Sequence, residues 1–299
     1  MVSGETPMHH VTHFLHMPSH QSPLMSLNFI LPILFLLALP FHSLPDEASA
    51  ARKIFTDKQE SVVWLSAVAK ISYSTDGAHD SAINIPDREQ KTESLGTIID
   101  PSGLVVTALS SLDPSRDVSG REVRTREGMI KIDANAVLKE VRIILADGTE
   151  IPAELVMRDA DLDLAFVKPK AGAKEARGVT YLALDLKNGA QSGVTDDAIT
   201  LSRTDEVLNR AASVTRGQIT SITKKPREFL RATGTSLGCP TFASDGRLIG
   251  IAVNRSVKGK SSHIVLIPAS DVLEIAEQAR AAKPAPEKKP KGKTKEEEN

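Results

Sequence analysis

The sequence predicts an all-β protein of barrel or sandwich type that ends in one helix. Three observations carry this. Short apolar runs recur between residues 61 and 268, with polar turn segments between them. Asp-Gly and Asp-Pro-Ser-Gly stretches stand where hairpins need to reverse. One segment near the C-terminus, and no other, carries a clear helical start.

Taken in order, "SVVWLSAVAKISYS" (61–74) reads as a strand, and "TDGAHDSAINIPDREQKTES" (75–94) as a polar loop. "LGTIIDPSGLVVTALSSL" (95–112) has two apolar runs around Asp-Pro-Ser-Gly and reads as a hairpin. Residues 113–136 are charged and read as a surface loop. Residues 137–169 form a second hairpin, turning at Asp147-Gly148 and running on into another strand. "AITLSR", "ASVTRGQITSITKK" and "EFLRATG" continue in the same style, and 240–254 is a hairpin with Asp245-Gly246 at its tip. "SHIVLIP" (262–268) is the final strand. The helix is expected over 270–282, with Ser270 as N-cap, Asp271 in the first turn, and Leu273, Ile275 and Ala276 as its buried stripe. The Pro/Lys/Glu-rich tail, 283–299, has no apolar anchor and is expected to be disordered and solvated. Roughly 225 ordered residues suit two small barrels.

Bulk composition narrows the function. Of 299 residues, 40% are hydrophobic and 25% charged, as in a globular chain with a core. Aromatics are 4%, so that core rests on Val, Ile, Leu and Ala. A net charge of −1 argues against a general nucleic-acid binder. Cys239 is alone, so there is no intrachain disulfide, and no Cys/His spacing suggests zinc; no cofactor is expected. The apolar run "LNFILPILFLLALPF" (27–41), followed by Ala48-Ser49-Ala50, fits a signal peptide cleaved near Ala50, hence a periplasmic or extracellular protein. No Lys or Arg precedes the run, which leaves an uncleaved membrane anchor as the alternative. The first 24 residues carry His9, His10, His13, His16 and His20, either a metal-binding tract or upstream sequence ahead of a true start at Met25.

Four segments carry a family resemblance. "GTIIDPSGLVVTALSSLD" resembles the strand–turn–strand of trypsin-like proteases, especially the bacterial HtrA (Deg) family, where the pattern G-x-[IV]-[IV]-x-x-x-G-x-[IV]-[LV]-T-x-x-H ends in the catalytic histidine. "VRIILADGTEIPAELVMRDADLDLAFVK" is similar to the second hairpin and to the strand that carries the triad acid. "GTSLGCPTFASDGRLIGIAV" resembles the G-N-S-G-G-P nucleophile loop and the strand after it, and "HIVLIPASDVLEI" the closing strand and helix. The resemblance spans about residues 58–280. It implies a trypsin-like domain over 55–282, with six-stranded barrels at about 58–175 and 176–268 and the site in the cleft between them, after a leader over 1–50. No PDZ module is expected, because the chain ends soon after the helix.

The chemistry the resemblance implies needs a serine nucleophile, a histidine base and an orienting carboxylate. Asp163 matches the acid, with Asp161 its neighbour in the same turn. The histidine falls on Ser110; a shift of one residue gives Leu109 or Ser111, neither of which is a base. Beyond Ala50 only His79 and His263 remain, one in a loop and one on the last strand. Counting back from Pro240 without a gap puts Leu237 at the nucleophile, Gly238 and Cys239 at the two glycines, and Thr235 at an oxyanion-loop glycine. One inserted residue would instead make Ser236 the nucleophile. Cys239 as a nucleophile would need a positive neighbour to lower its pKa, and none is near in sequence. The expectation is therefore an inactive trypsin-like protein binding a peptide or protein partner in the cleft. An active endopeptidase using Ser236, and a scaffold for an active exported protease, are the competing readings.

Overall fold

The first barrel closes because its opening strand is hydrogen-bonded along both edges. The computed structural model describes residues 47–76, 85–116, 118–125, 128–256 and 262–282; all but the end of the leader, His79 and the charged tail lie outside them. β1 (Val62–Asp76) pairs antiparallel with β2 (Arg88–Ile98) and with β5 (Gly128–Ile144). Between these run β3 (Val105–Ala108), β7 (Leu164–Pro169) and β6 (Glu150–Asp159), so the ring reads β1-β2-β3-β7-β6-β5 and returns to β1. β4 (Arg121–Thr125) pairs with the start of β5, outside the ring. The second barrel comprises β8 (Asp197–Arg203), β9 (Ala212–Thr223), β10 (Phe229–Ala232), β11 (Pro240–Phe242), β12 (Leu248–Ser256) and β13 (Ser262–Pro268). It closes in the order β10-β13-β12-β11-β8-β9. α1 (Glu47–Lys58) precedes β1, α2 (Leu109–Leu112) is a single turn after β3, and α3 (Ala269–Ala281) follows β13.

Alternation along the strands sorts the core into three main clusters. β7 shows why its sequence reads as an unbroken apolar run: Ala165 and Val167 point into the first barrel, while Leu164 and Phe166 point the other way into the seam between barrels. Both faces are buried, so both must be apolar. The first barrel is filled by Leu65, Ile98, Val105, Leu112, Ile143 and Ile151, and the second by Ala198, Ile219, Leu230, Ile249 and Leu266. The seam joins Val106, Leu164 and Phe166 to Ile199, Leu201, Phe242 and Ile251. α1 packs onto it through Ile54, and α3 through Val272 and Ile275.

Three expectations are corrected. The 75–94 segment is not all loop, because β2 begins at Arg88 and its polar first half is held by the register Ile71↔Arg88 to Ser66↔Glu93. Residues 113–136 are not a plain loop either, since β4 and the first part of β5 form a hairpin there. The last helix starts one residue earlier than expected: Pro268 takes the N-cap position with no side-chain cap, and Ser270 lies inside the first turn. Its buried stripe is Ala269, Val272, Ile275, Ala276 and Ala279, with Leu273 half-buried at its margin.

Candidate active site

Asp163 sits at the turn that leads into β7, with its backbone in the left-handed region at φ 59°. Aspartate tolerates that conformation better than most residues, at a cost of about 1 kcal/mol. The conformation turns its carboxylate inward, where only 2% of the residue stays exposed. Three donors meet it. Ser110 gives its N–H to Oδ1 and its hydroxyl to Oδ2, both at 2.8 Å, and Asn254 gives its N–H to Oδ2 at 2.8 Å. The Leu109 N–H binds the Asp163 carbonyl at 2.8 Å, which fixes the start of α2 against it. Of Leu109, Ser110 and Ser111, it is Ser110 that reaches the carboxylate; the Leu109 side chain is buried in the first barrel.

Arg116 adds a charge from a loop that sequence reasoning passes over. Its Nη2 lies 3.8 Å from Asp163 Oδ1 and donates to the Ala160 carbonyl at 3.3 Å. Burial pushes the Asp163 carboxyl above its usual range, while the Asn254 and Ser110 donors and the Arg116 charge pull the other way without cancelling it. No imidazole is among its partners in the described residues. His263 lies exposed on β13 opposite Arg255.

The 234–240 loop is fastened beside the same strand. The Gly238 N–H donates to the Ala252 carbonyl at 2.8 Å, and the Ala252 N–H donates to the Cys239 carbonyl at 3.0 Å, two residues before Asn254. Thr97 on β2 gives its hydroxyl to the Gly238 carbonyl at 2.8 Å, a bond across the seam. Gly238 cannot be another residue: its φ is +76°, and a Cβ would stand 2.0 Å from the Leu95 carbonyl oxygen. The Cys239 N–H donates to the Ser236 carbonyl at 3.1 Å. The N–H groups of Gly238 and Cys239 are thus both committed within the fold. Thr235, Ser236 and Leu237 are each half-buried, and none of their side chains makes a hydrogen bond with another described residue. The Cys239 thiol is wholly buried in the seam, which raises its pKa far above the ordinary thiol value.

Next to this constellation opens a small cleft lined by Arg116, Asp161, Leu162, Phe229, Asn254 and Arg255. The Arg255 guanidinium lies 4.1 Å from the centroid of the Phe229 ring, in a cation–π contact. Among the described residues, no group of three or more His, Cys, Asp or Glu could hold a metal ion.

Residues 95–251, from β2 through the first half of β12, match the trypsin-like peptidase domain. The chain belongs to the trypsin-like peptidase family. The match takes in Ser110, Asp163 and the whole 234–240 loop of this trypsin-like domain. Among solved structures, the protease domain of MamO from Magnetospirillum magneticum, in its apo form, is similar at 16% identity and a TM-score of 0.44, over 74% of this chain and 98% of that one. The comparison with curated proteins gives no match. Sequence reasoning misses Arg116, the Asn254 N–H and Arg255. A main-chain donor leaves no mark in a sequence, and nothing in the spacing of the two arginines sets them apart from other surface cations.

Proposed function

We propose that this trypsin-like chain is an exported pseudoprotease that binds a peptide or protein segment in the cleft beside Asp163. The observation that carries the reading is the Ser110 hydroxyl at 2.8 Å from Asp163 Oδ2, where the mechanism needs an imidazole. A hydroxyl donates a hydrogen bond to the carboxylate but has no basic lone pair to take a proton near neutral pH. Without a base, a serine at 236 is a weak nucleophile and Leu237 is none. Cys239 offers no substitute, because its buried thiol is held protonated. Barrel packing does not depend on the missing base, so the cleft survives the loss. Residues 254–256 of β12 pair with β13 on one side and lie at the cleft on the other, where the Asn254 N–H is held by Asp163, and Arg255 and Ser256 are left to meet a bound peptide. Arg116 and Arg255 give that peptide a charge match if it carries an acidic side chain. Export is supported by the apolar run at 27–41 and the small residues at 48–50.

Two measurements test this. The mature chain incubated with an unfolded polypeptide and with a fluorophosphonate probe should neither cut the one nor be labelled by the other. Labelling at Ser236 would establish an active endopeptidase instead. Screening immobilised peptides should find acidic extended segments whose binding is lost in Arg255→Glu; peptides that bind wild type and variant equally would place the ligand elsewhere.

A further inference from the structure

The hairpin found in the charged 113–136 segment leaves one strand with a neighbour on one side only among the described residues. β4 ends the sheet order, and among the described residues nothing pairs with its outer edge. Such an edge is a template for another strand unless it is blocked. The strand reads Arg121-Glu122-Val123-Arg124, all exposed, and none of its three charges has an ion-pair partner among the described residues. We infer that β4 pairs antiparallel with β4 of a second copy about a two-fold axis at Val123.

The sequence is complementary to itself in that register. Antiparallel pairing centred on Val123 sets Glu122 opposite Arg124 of the other copy and Arg124 opposite its Glu122, so both cross-strand pairs are of opposite charge. Within the hairpin, Val123 lies opposite Ile130 and Glu122 opposite Lys131. One face of the joined sheet then carries an apolar stripe of Ile130 and Val123 from each copy, and Val123, 41% exposed in the single chain, is covered. On the other face Glu122 sits between Lys131 of its own chain and Arg124 of the second. The backbone agrees. With Thr125 opposite Gly128 as the last pair of the hairpin, the amides of 123 and 125 face β5, and ladder alternation leaves those of 122 and 124 facing outward. These are the amides that such a register uses. The interface is isologous and closes on itself, which gives a dimer and not a fibre.

A five-residue strand pair buries far less than the roughly 1,200 Å² of a stable complex, so the dimer is weak, with a Kd on the order of 100 μM. Sedimentation of the mature chain from about 1 μM to about 1 mM should show reversible dimerisation that weakens as salt rises. Glu122→Arg alone and Arg124→Glu alone should each stay monomeric, because each sets like charges opposite one another. Mixed one to one they should associate, since the Arg/Arg strand then meets the Glu/Glu strand. Circular dichroism on each variant separates lost association from lost folding, and a misfolded variant is replaced by Glu122→Gln and Arg124→Gln, which should weaken the dimer at least threefold. A wild-type chain that stays monomeric throughout, a single reversal or a Gln variant that dimerises as well as wild type, or a one-to-one mixture that fails to associate would overturn the inference.

Discussion

Asp163 holds a carboxylate where water scarcely reaches and answers it with three hydrogen bonds and one distant guanidinium. Replacing it with Asn puts an NH₂ where at least one backbone N–H needs an acceptor, and should destabilise the fold by roughly 1–3 kcal/mol in urea unfolding. The pH dependence has a definite sign. The carboxyl ionises at higher pH in the folded chain than in the unfolded one, since burial raises it. Between those two values the folded state holds the extra proton, so this group's contribution to stability falls as pH rises through the window. The stability difference between wild type and Asp163→Asn should therefore shrink over that rise. Ser110→Ala removes a donor to the charged form and should move the carboxyl further up, readable by NMR titration. Cys239 should stay unmodified by a thiol reagent at about pH 8 in the native chain and react at once after unfolding, because burial keeps it a thiol. Asp163, Ser110 and Gly238 are all legible from the motif segments. The left-handed backbone at 163 and the Asn254 N–H are not, since neither depends on which side chain is written there.

At the scale of the element, a strand is legible where apolar residues mark it and hidden where they do not. β3, β6, β7 and β13 carry buried faces that read directly from the sequence. The first half of β2, all of β4 and the start of β5 are polar and exposed, and they are strands because β1 and β5 supply hydrogen-bonding partners. α1 escapes notice because its seam stripe, Ala51 and Ile54 with Ala50 and Phe55 half-buried beside them, is less than two turns long. α3 is legible, yet its task is tertiary. Ile275 fills the seam, and Arg280 reaches the first barrel, donating to Asp100 Oδ2 at 2.8 Å. Ile275→Ala should cost about 2–5 kcal/mol, measured by urea unfolding, because the void it leaves lies between packed barrels.

For the whole molecule, the seam decides whether a cleft exists at all. Arg203, buried on β8, ties the second barrel to the entry of the first: its Nε donates to the Val62 carbonyl at 2.5 Å and its Nη2 to the Gln59 carbonyl at 3.1 Å. Trp64 returns a bond from β1 to the Thr204 carbonyl at 3.0 Å. Arg203→Met keeps the stem but strips the carbonyls of their donor, and should destabilise by roughly 2–4 kcal/mol. Protease resistance of both barrels should fall together in that variant; loss confined to one would mean that the barrels are not coupled through this residue.

By itself the sequence determined the all-β class and the closing helix, and its resemblance to a known family pointed to the two-barrel division and to Asp163 and Ser110. Each of these is written in local signals: turn chemistry, apolar runs and motif spacing. The tertiary structure alone decided that the Ser110 hydroxyl meets Asp163, that Arg116 and Arg255 share a cleft, and that a polar segment becomes an edge strand. Those facts depend on which distant backbones lie side by side, and hydrogen bonds between main-chain groups can form under almost any side chain.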